Sequence, residues 1–423
     1  MNKRQVVVLW TIALLLAAAA WIVRSGKNQS FESKTQRSRG QTLIADLPAT
    51  EVAKLEVRSG EQTTTLVRKD GKWTVAEREN YPAKTSTVNE AIRTLAEVTV
   101  TDGIEAAPAL APRFGMDPGA KEEKDRGTEV VLSNDAGTEL VRLTLGKNLE
   151  AAGDPMSMMG GGASGRFVRN HADETGVYKV GEIFPTLSAE PQGWLDDSFL
   201  KVEKIKAITV SPAAKPDEIA WKLTRSDENA EFTLDGIQPG ETLDSTATSP
   251  LKSLFSYARF EDVIPAAKLE SVSKAAEKQT VKIETFEGFA YTLTIAPMTP
   301  EPPKGDAPAE DSFILSVDLA AELPAERKKD EKESEEDAKT KDKAFADRKA
   351  ELEKRLAAEK SLAGRHFKVT RYSVEALLKD RATLVKKAEA AASPTPAGAN
   401  NQTGRPIEAV TPPISIPPMQ EGE

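Results

Sequence analysis

The chain has 423 residues, of which 39% are hydrophobic, 29% charged and only 5% aromatic; its net charge is −9 and it has no cysteine. The length and apolar content suit two or three packed units, while the negative balance argues against a nucleic-acid partner, which would require a basic face. Without cysteine there can be no disulfide, thiolate nucleophile, cysteine-ligated zinc, iron–sulfur cluster or lipid-modified cysteine anchor.

Residues 6–23 (VVVLWTIALLLAAAAWIV), opening at Val6 and closing at Val23, carry no charge; Lys3 and Arg4 precede them and Arg24 and Lys27 follow. At ~1.5 Å per helical residue this run can just cross a hydrocarbon layer of ~30 Å. Trp10 and Trp21 lie toward its ends, where indoles favour the membrane interface. Ala18-Ala19-Ala20 would suit signal-peptide cleavage, but Trp21-Ile22-Val23 continue the apolar run past it. The prediction is a retained transmembrane anchor over 1–25. Basic residues on both flanks leave its orientation open, because long domains translocate regardless of flank charge. A polar stalk over 26–48 follows.

From Val52 short β-prone runs begin at Leu55 and Val57, continue over 63–67 and 73–75, and bracket a tight turn at Lys69-Asp70-Gly71-Lys72. Thr87 and Glu90 have capping-box spacing ahead of a helix presenting Val88, Ala91, Ile92 and Leu95 on one face. Strands return at 129–132 and 140–145 around a turn at 134–137. A Gly/Met-rich loop over 156–165 precedes Phe167-Val168 and 177–180.

The same order of elements then recurs. Residues 207–210 match 54–57, and LTRSD at 223–227 followed by 232–234 matches LVRKD at 66–70 followed by 73–75. Ser249-Pro250 reads as an N-cap and first-turn pair opening a helix through Leu251, Leu254, Phe255 and Ala258. Its exit, FSYARFEDVI at 255–264, aligns without a gap on LAEVTVTDGI at 95–104. The hairpin over 280–295, turning at Gly288, repeats that over 129–145. Phe367-Lys368-Val369, with a helix at Val374, Leu377 and Leu378, resembles Tyr178-Lys179-Val180 with Ile183, Phe184 and Leu187. Five matches in one order read as an internal duplication. Within 326–360 are 12 acidic and 12 basic residues with only Phe345, Leu352 and Leu356 as large apolar marks. A solvated helix or partly disordered arm fits that composition, and a coiled coil is the sharper alternative. From Ser393, seven prolines in 31 residues predict a disordered extended tail.

Gly71-Lys72-Trp73-Thr74-Val75, Tyr81-Pro82-Ala83, Arg113-Phe114-Gly115-Met116-Asp117, Leu145-Gly146-Lys147, Arg166-Phe167-Val168-Arg169 and Val177-Tyr178-Lys179-Val180, in this order behind an anchor, resemble the bacterial family called domain of unknown function 4340. The likeness covers about 52–200 well and the second copy less well, since that copy lacks the Trp and the Phe-Gly-Met-Asp element. The resemblance implies a membrane-anchored α+β repeat protein facing the periplasm, associated with ABC transporters of the gliding-motility type. It defines no catalytic residues.

The residues themselves offer little chemistry. His171 and His366 fall in unrelated contexts without metal-ligand spacing. Asp196 and Asp197 are adjacent, so their carboxylates diverge and read as a solvated turn, with Trp194 packing between the two copies. Gly160-Gly161-Gly162 lacks the Lys-Ser/Thr of a phosphate loop. Met156, Met158 and Met159 beside it suit a mobile loop or, more sharply, an apolar contact. Trp73 and Trp221 read as core anchors.

The resulting expectation is an α+β chain: two tandem related units of antiparallel hairpins plus helix, over 49–200 and 201–385, with one N-terminal transmembrane helix. The second unit carries a charged helical insert over 324–362, and a Pro-rich disordered tail over 386–423 ends the chain. No catalytic, cofactor-binding or metal residue is assigned, and no cofactor is expected. The function expected is non-enzymatic: a membrane-anchored extracytoplasmic scaffold or accessory protein, part of a transporter or cell-envelope complex. Its place would be the inner membrane, single-pass, with the bulk of the chain periplasmic. Two rivals are a glycan or lipid binding module, which requires exposed aromatics on one face, and a hydrolase with a deep cleft between the repeats lined by several carboxylates or a Ser/His pair.

Overall fold

The computed structural model describes residues 35–387 except 107, 123–124, 151–162, 175, 213–214, 216, 301–310 and 328–332. Alternating apolar and polar residues dominate this stretch, and alternation at period two makes strands. The first sheet contains β1 (Lys54–Ser59), β2 (Gln62–Lys69), β3 (Lys72–Val75), β4 (Tyr81–Pro82), β5 (Val100–Glu105), β6 (Thr128–Ser133), β7 (Glu139–Glu150), β8 (Ala163–Asn170) and β9 (Gly176–Val180). Its spatial order is β4-β3-β2-β1-β6-β7-β8-β9-β5. Next along the chain come β10 (Ile205–Pro212), β11 (Trp221–Thr224), β12 (Thr233–Leu234), β13 (Glu241–Leu243), β14 (Phe260–Val263), β15 (Gln279–Thr285), β16 (Phe289–Pro297), β17 (Ser312–Ala321), β18 (Arg365–Thr370) and β19 (Val385–Lys387). Eight of them form a second sheet ordered β12-β11-β10-β15-β16-β17-β18-β14, while β13 and β19 form a separate pair.

Apart from β4, the two orders coincide position for position, β1 corresponding to β10 and β5 to β14 at the far edge. An irregularity recurs as well. Register slips between Val100 and Asp102 where β5 meets β9, and between Phe260 and Asp262 where β14 meets β18. The turn at Asp70-Gly71 has both residues at positive φ, +51° and +75°, as a two-residue hairpin requires. At Gly288 (φ +84°) a Cβ would lie 2.2 Å from the Glu322 carbonyl oxygen, so only glycine fits that turn.

The α+β class is corrected by this architecture. Nineteen strands in three antiparallel sheets carry the described residues, and the helices are secondary. They are α1 (Thr85–Glu97), α2 (Ser245–Thr248), α3 (Ala266–Val272), α4 (Glu335–Lys360) and α5 (Arg371–Val374). The α1 helix buries Val88, Ala91, Ile92 and Leu95. It starts at Thr85 without a side-chain cap, so the capping box at Thr87 and Glu90 is not used; the Lys84 N–H instead donates to the Trp194 carbonyl (2.8 Å). The helix expected through Leu251 to Ala258 is replaced by α2, capped by Asp244 and not Ser249, and by a short 3-10 turn over Ser249–Lys252. Ser253 then leaves the helical region (φ −141°, ψ 74°), and Phe255 adopts φ +62°, which ends any helix. No helix forms at Ile183 to Leu187 either, where Phe184 lies at φ +53°.

Among the described residues no helix is long and apolar enough to cross a membrane, and residues 6–23 lie outside them. The one helix of sufficient length, α4, is charged along most of its surface. For the expected single-pass inner-membrane placement the correction is that the described residues supply no transmembrane helix to carry it. Of the expected stalk, residues 35–48 lie against the first sheet: Leu43 and Ile44 are buried, and the Gly40 and Leu43 N–H groups donate to the Val100 and Val98 carbonyls (2.8 and 2.9 Å).

The coiled-coil alternative for the charged insert is corrected as well, because α4 lies on its own sheet. Leu352 and Glu359 are its buried residues. The Tyr291 hydroxyl and the Arg355 Nε both donate to the Glu359 carboxylate (2.6 and 2.8 Å), and Arg355 lies 4.8 Å above the Phe289 ring. Glu287 receives Arg348 and Lys204, the latter at 3.2 Å. Burial would raise the Glu287 carboxyl, but Arg348 and Lys204 hold it below its ordinary 4.5. Its folded pKa is depressed, so its contribution is complete above the unfolded value and lost as pH falls through the lower folded one. The melting temperature is expected to fall as pH drops below the ordinary carboxylate value of 4.5. Glu287→Gln is expected to flatten that fall and to cost about 1 kcal/mol at neutral pH, since Arg348 and Lys204 are both solvent-screened. An equally steep fall in the variant would show that other carboxylates set the acid limit.

One continuous apolar core runs through both large sheets. Their meeting line is made by β4, the edge of the first sheet, against β14 and β18 of the second. Tyr81 of β4 sits edge-on to Phe260 (5.6 Å) and Phe367 (6.0 Å), with Arg365 5.0 Å over its other side. Phe199, from the connection between the sheets, closes the cluster at 5.4 Å from Phe260 and 5.1 Å from Phe367. Beside the rings Arg78 donates through Nε and a terminal nitrogen to the two oxygens of Asp262 (2.6 and 2.8 Å), a two-pronged geometry only arginine supplies. Tyr81→Ala should cost about 4 kcal/mol in urea unfolding. A loss under about 1 kcal/mol would mean the seam is dispensable.

Candidate functional site

The residues singled out by sequence do not converge. His171, on the first sheet, shares a 2.8 Å hydrogen bond with the Thr144 hydroxyl, and burial together with Arg169 pushes its pKa down. His366, on the second, pairs with the Ser316 hydroxyl at 2.6 Å. Among the described residues no group of three or more His, Asp or Glu is arranged to hold a metal ion. Asp196 accepts from the Ser198 N–H (2.9 Å) while Asp197 faces Lys84 (3.3 Å), so the two carboxylates part as adjacent side chains do. Trp73, Trp194 and Trp221 are buried and form no exposed platform. The Trp194 and Trp221 N–H groups donate to the Ser188 and Lys379 carbonyls (2.8 Å each). Gly160 to Gly162 and Met156 to Met159 lie outside the described residues. Between the sheets, where a hydrolase would need a deep cleft, the described seam is filled by Tyr81, Phe199, Phe260 and Phe367.

A different feature stands out. A groove of about 370 Å³ opens between the segment after α2 and the helical turn of α5, lined by Leu254, Phe255, Ala258 and Ala376 and bordered by Tyr257 and Tyr372. Of two other clefts of about 420 Å³, one is lined by polar groups such as Arg68, Asp70, Asn89 and Asp135, and the other mixes Gln62, Arg166 and Glu190 with Phe184 and Leu187. Tyr257 is 92% and Tyr372 81% exposed, the two most exposed large side chains among the described apolar and aromatic residues.

The local fold explains that exposure. A left-handed φ at a bulky residue costs about 1–3 kcal/mol and persists where surrounding contacts outweigh it. Phe255 is such a residue, and its ring is buried, nearly perpendicular to Phe199 at 6.3 Å. Burying a phenylalanine contributes about 1.5–3 kcal/mol, enough to offset the backbone cost. The Ala258 N–H donates to the Phe255 carbonyl (3.2 Å), closing a turn with Tyr257 at its exposed corner. On the opposite wall Val374 and Leu377 hold α5 and the following turn to the core, leaving Tyr372 outside. Lys379 fixes the base of the groove, its Nζ donating to the Ala247 carbonyl (3.3 Å).

Residues 73–280 match the family model described as a domain of unknown function, DUF4340. The segment is similar to that family over this range. The DUF4340 match runs from Trp73 in β3 to Thr280 in β15, so it takes in the seam strands β4 and β14 and the Tyr257 wall, and stops short of Tyr372. No curated protein and no solved structure matches the chain.

Sequence reasoning assigned Leu254, Phe255 and Ala258 to a helix face and passed over both tyrosines. The available signal was Tyr257 itself, an aromatic off the apolar face of that supposed helix. Tyr257→Ala should leave stability within about 0.5 kcal/mol, whereas Phe255→Ala should cost about 3 kcal/mol or more in urea unfolding. Equal effects would mean that Tyr257 is a packing residue.

Proposed function

We propose that this chain is a non-catalytic scaffold or accessory subunit, a fixed two-sheet body that docks a partner protein through the Tyr257–Tyr372 groove. The observation behind this reading is the pair of almost fully exposed tyrosines framing an apolar groove. Tyrosine combines a large apolar ring with a polar tip and is enriched at the anchor points of protein interfaces. The inward use of charge supports the same reading: Arg78 with Asp262 and Arg348 with Glu287 each join one element to another, and Glu359 of α4 accepts from the Tyr291 hydroxyl of β16. The family resemblance adds the kind of assembly proposed, a complex of the transporter or cell-envelope type. A second reading, a glycan-binding face, draws on the same two rings, since sugars also stack on aromatic surfaces.

The test is affinity capture of the full chain from the cells that make it, beside Tyr257→Ala/Tyr372→Ala. A partner held at near-equal amount by the wild type is expected to drop at least ~30-fold in the double variant, the loss of one interface hot spot of about 2 kcal/mol. The melting temperature should be unchanged. Retention of the same partner by the variant, or recovery of the chain alone, overturns the proposal, and binding of the wild type to a glycan array in place of a protein moves the groove to the second reading.

A further inference from the structure

We infer that the Tyr257–Tyr372 groove receives a proline-rich extended strand, and that its resident occupant is this chain's own segment 412–418, Pro-Pro-Ile-Ser-Ile-Pro-Pro. The inference deepens the docking reading above and rests on the groove being a binding surface. Its first support is chemical. Aromatic-lined grooves are the usual receptors of proline-rich strands, because proline rings lie flat on aromatic faces and the preset backbone has little entropy left to lose. Tyr257 and Tyr372 provide two such faces across a floor in which Leu254, Phe255, Ala258 and Ala376 are interrupted by serines and Lys379.

A second support is where the described chain ends. The final strand, β19, pairs with β13, and the Leu384 carbonyl accepts from the Asp244 N–H (2.8 Å). Lys386 pairs with the Asp244 carboxylate at 2.9 Å. Asp244 caps α2, and six residues further on is Pro250 at the groove. The chain thus leaves its last described strand opposite Glu241, nine residues before Pro250 in sequence, and 36 residues follow Lys387. The 24 residues between Lys387 and Pro412 would span ~25–30 Å even as a random coil, ample for a site so close. Tethering of this kind gives an effective concentration on the order of millimolar, so even a weak strand fills its groove.

A third support is composition. Residues 409–420 carry no charge, although 29% of the whole chain is charged. Ile414 and Ile416 between the two Pro-Pro pairs give this run an apolar character that matches the groove floor of Leu254, Phe255, Ala258 and Ala376. A partner bearing a similar strand would have to displace the tail, which makes docking conditional on competition.

The experiment places p-benzoylphenylalanine at position 257 of the full chain, irradiates an equal mixture of isotopically light and heavy protein, and maps cross-links by mass spectrometry. Cross-links to 409–420 within one molecule are expected, reduced at least ~tenfold in Pro412→Ser/Pro413→Ser/Pro417→Ser/Pro418→Ser, as loss of a tethered millimolar ligand implies. Amide exchange over 253–258 should quicken by a similar factor in that variant. Cross-links that avoid the tail, that ignore the proline substitutions, or that join only different molecules overturn the inference. The two readings fail separately. Partner capture that needs both tyrosines while the tail does not cross-link leaves docking standing and removes the occupant. Tail cross-linking with tyrosine-independent capture keeps the occupant and removes the partner site.

Discussion

The contact that the architecture depends on is the meeting of two sheet edges at Tyr81, Phe260 and Phe367, locked by Arg78 on Asp262. Open sheet edges present unpaired N–H and C=O groups and invite pairing with other chains. Here β4, only two residues long, and β14, only four, cover each other with side chains, so their ladders stop without exposing a long flat edge. The Arg78–Asp262 pair is partly shielded from water, which strengthens it and makes loss of either partner costly. Two antiparallel sheets that could have been separate bodies therefore share one core.

The recurring register slip shows how one backbone feature takes two roles. In the second sheet the irregularity between Phe260 and Asp262 turns Phe260 toward the rings and leaves Asp262 facing Arg78. In the first sheet the same slip between Val100 and Asp102 leaves Asp102 at an exposed edge, where it meets Lys179 at 3.0 Å. A bulge bends its strand and re-aims the side chains beside it, so identical topology serves cohesion in one copy and a solvated rim in the other. An exposed ion pair of the latter kind contributes little, and the asymmetry between the copies lies in burial, not in connectivity.

Sequence pattern read the strands well because period-two alternation and turn chemistry are local properties. Asp70-Gly71 and the turns at Gly137 and Gly288 lie where left-handed residues are needed. The class was misread because local signals overcounted helices. Leu251, Leu254, Phe255 and Ala258 have helical spacing, yet the burial available to Phe255 against Phe199 favours a left-handed residue there, and tertiary packing overrode propensity. The strand over Ser312–Ala321 went unnoticed because it lies before the charged insert, outside the matched segments. The insert itself reads as solvated from composition alone; what seats α4 is Arg348, Arg355 and Glu359 reaching groups on β16 and on the turn before it, contacts that no helix periodicity encodes. The groove is less legible still, since its walls come from positions 257 and 372, more than a hundred residues apart.

That distance also explains why the groove belongs to the fold and is not an accident of a loop. Its floor residue Phe255 touches Phe199, and Phe199 touches Phe260 and Phe367, which in turn hold Tyr81. Three ring contacts therefore link the groove floor to the first sheet. A site built on such a chain of packed rings is held in one shape before anything binds, and a preformed site loses little freedom on association. The seam that fuses the sheets is thus the same structure that fixes the spacing of the two tyrosines.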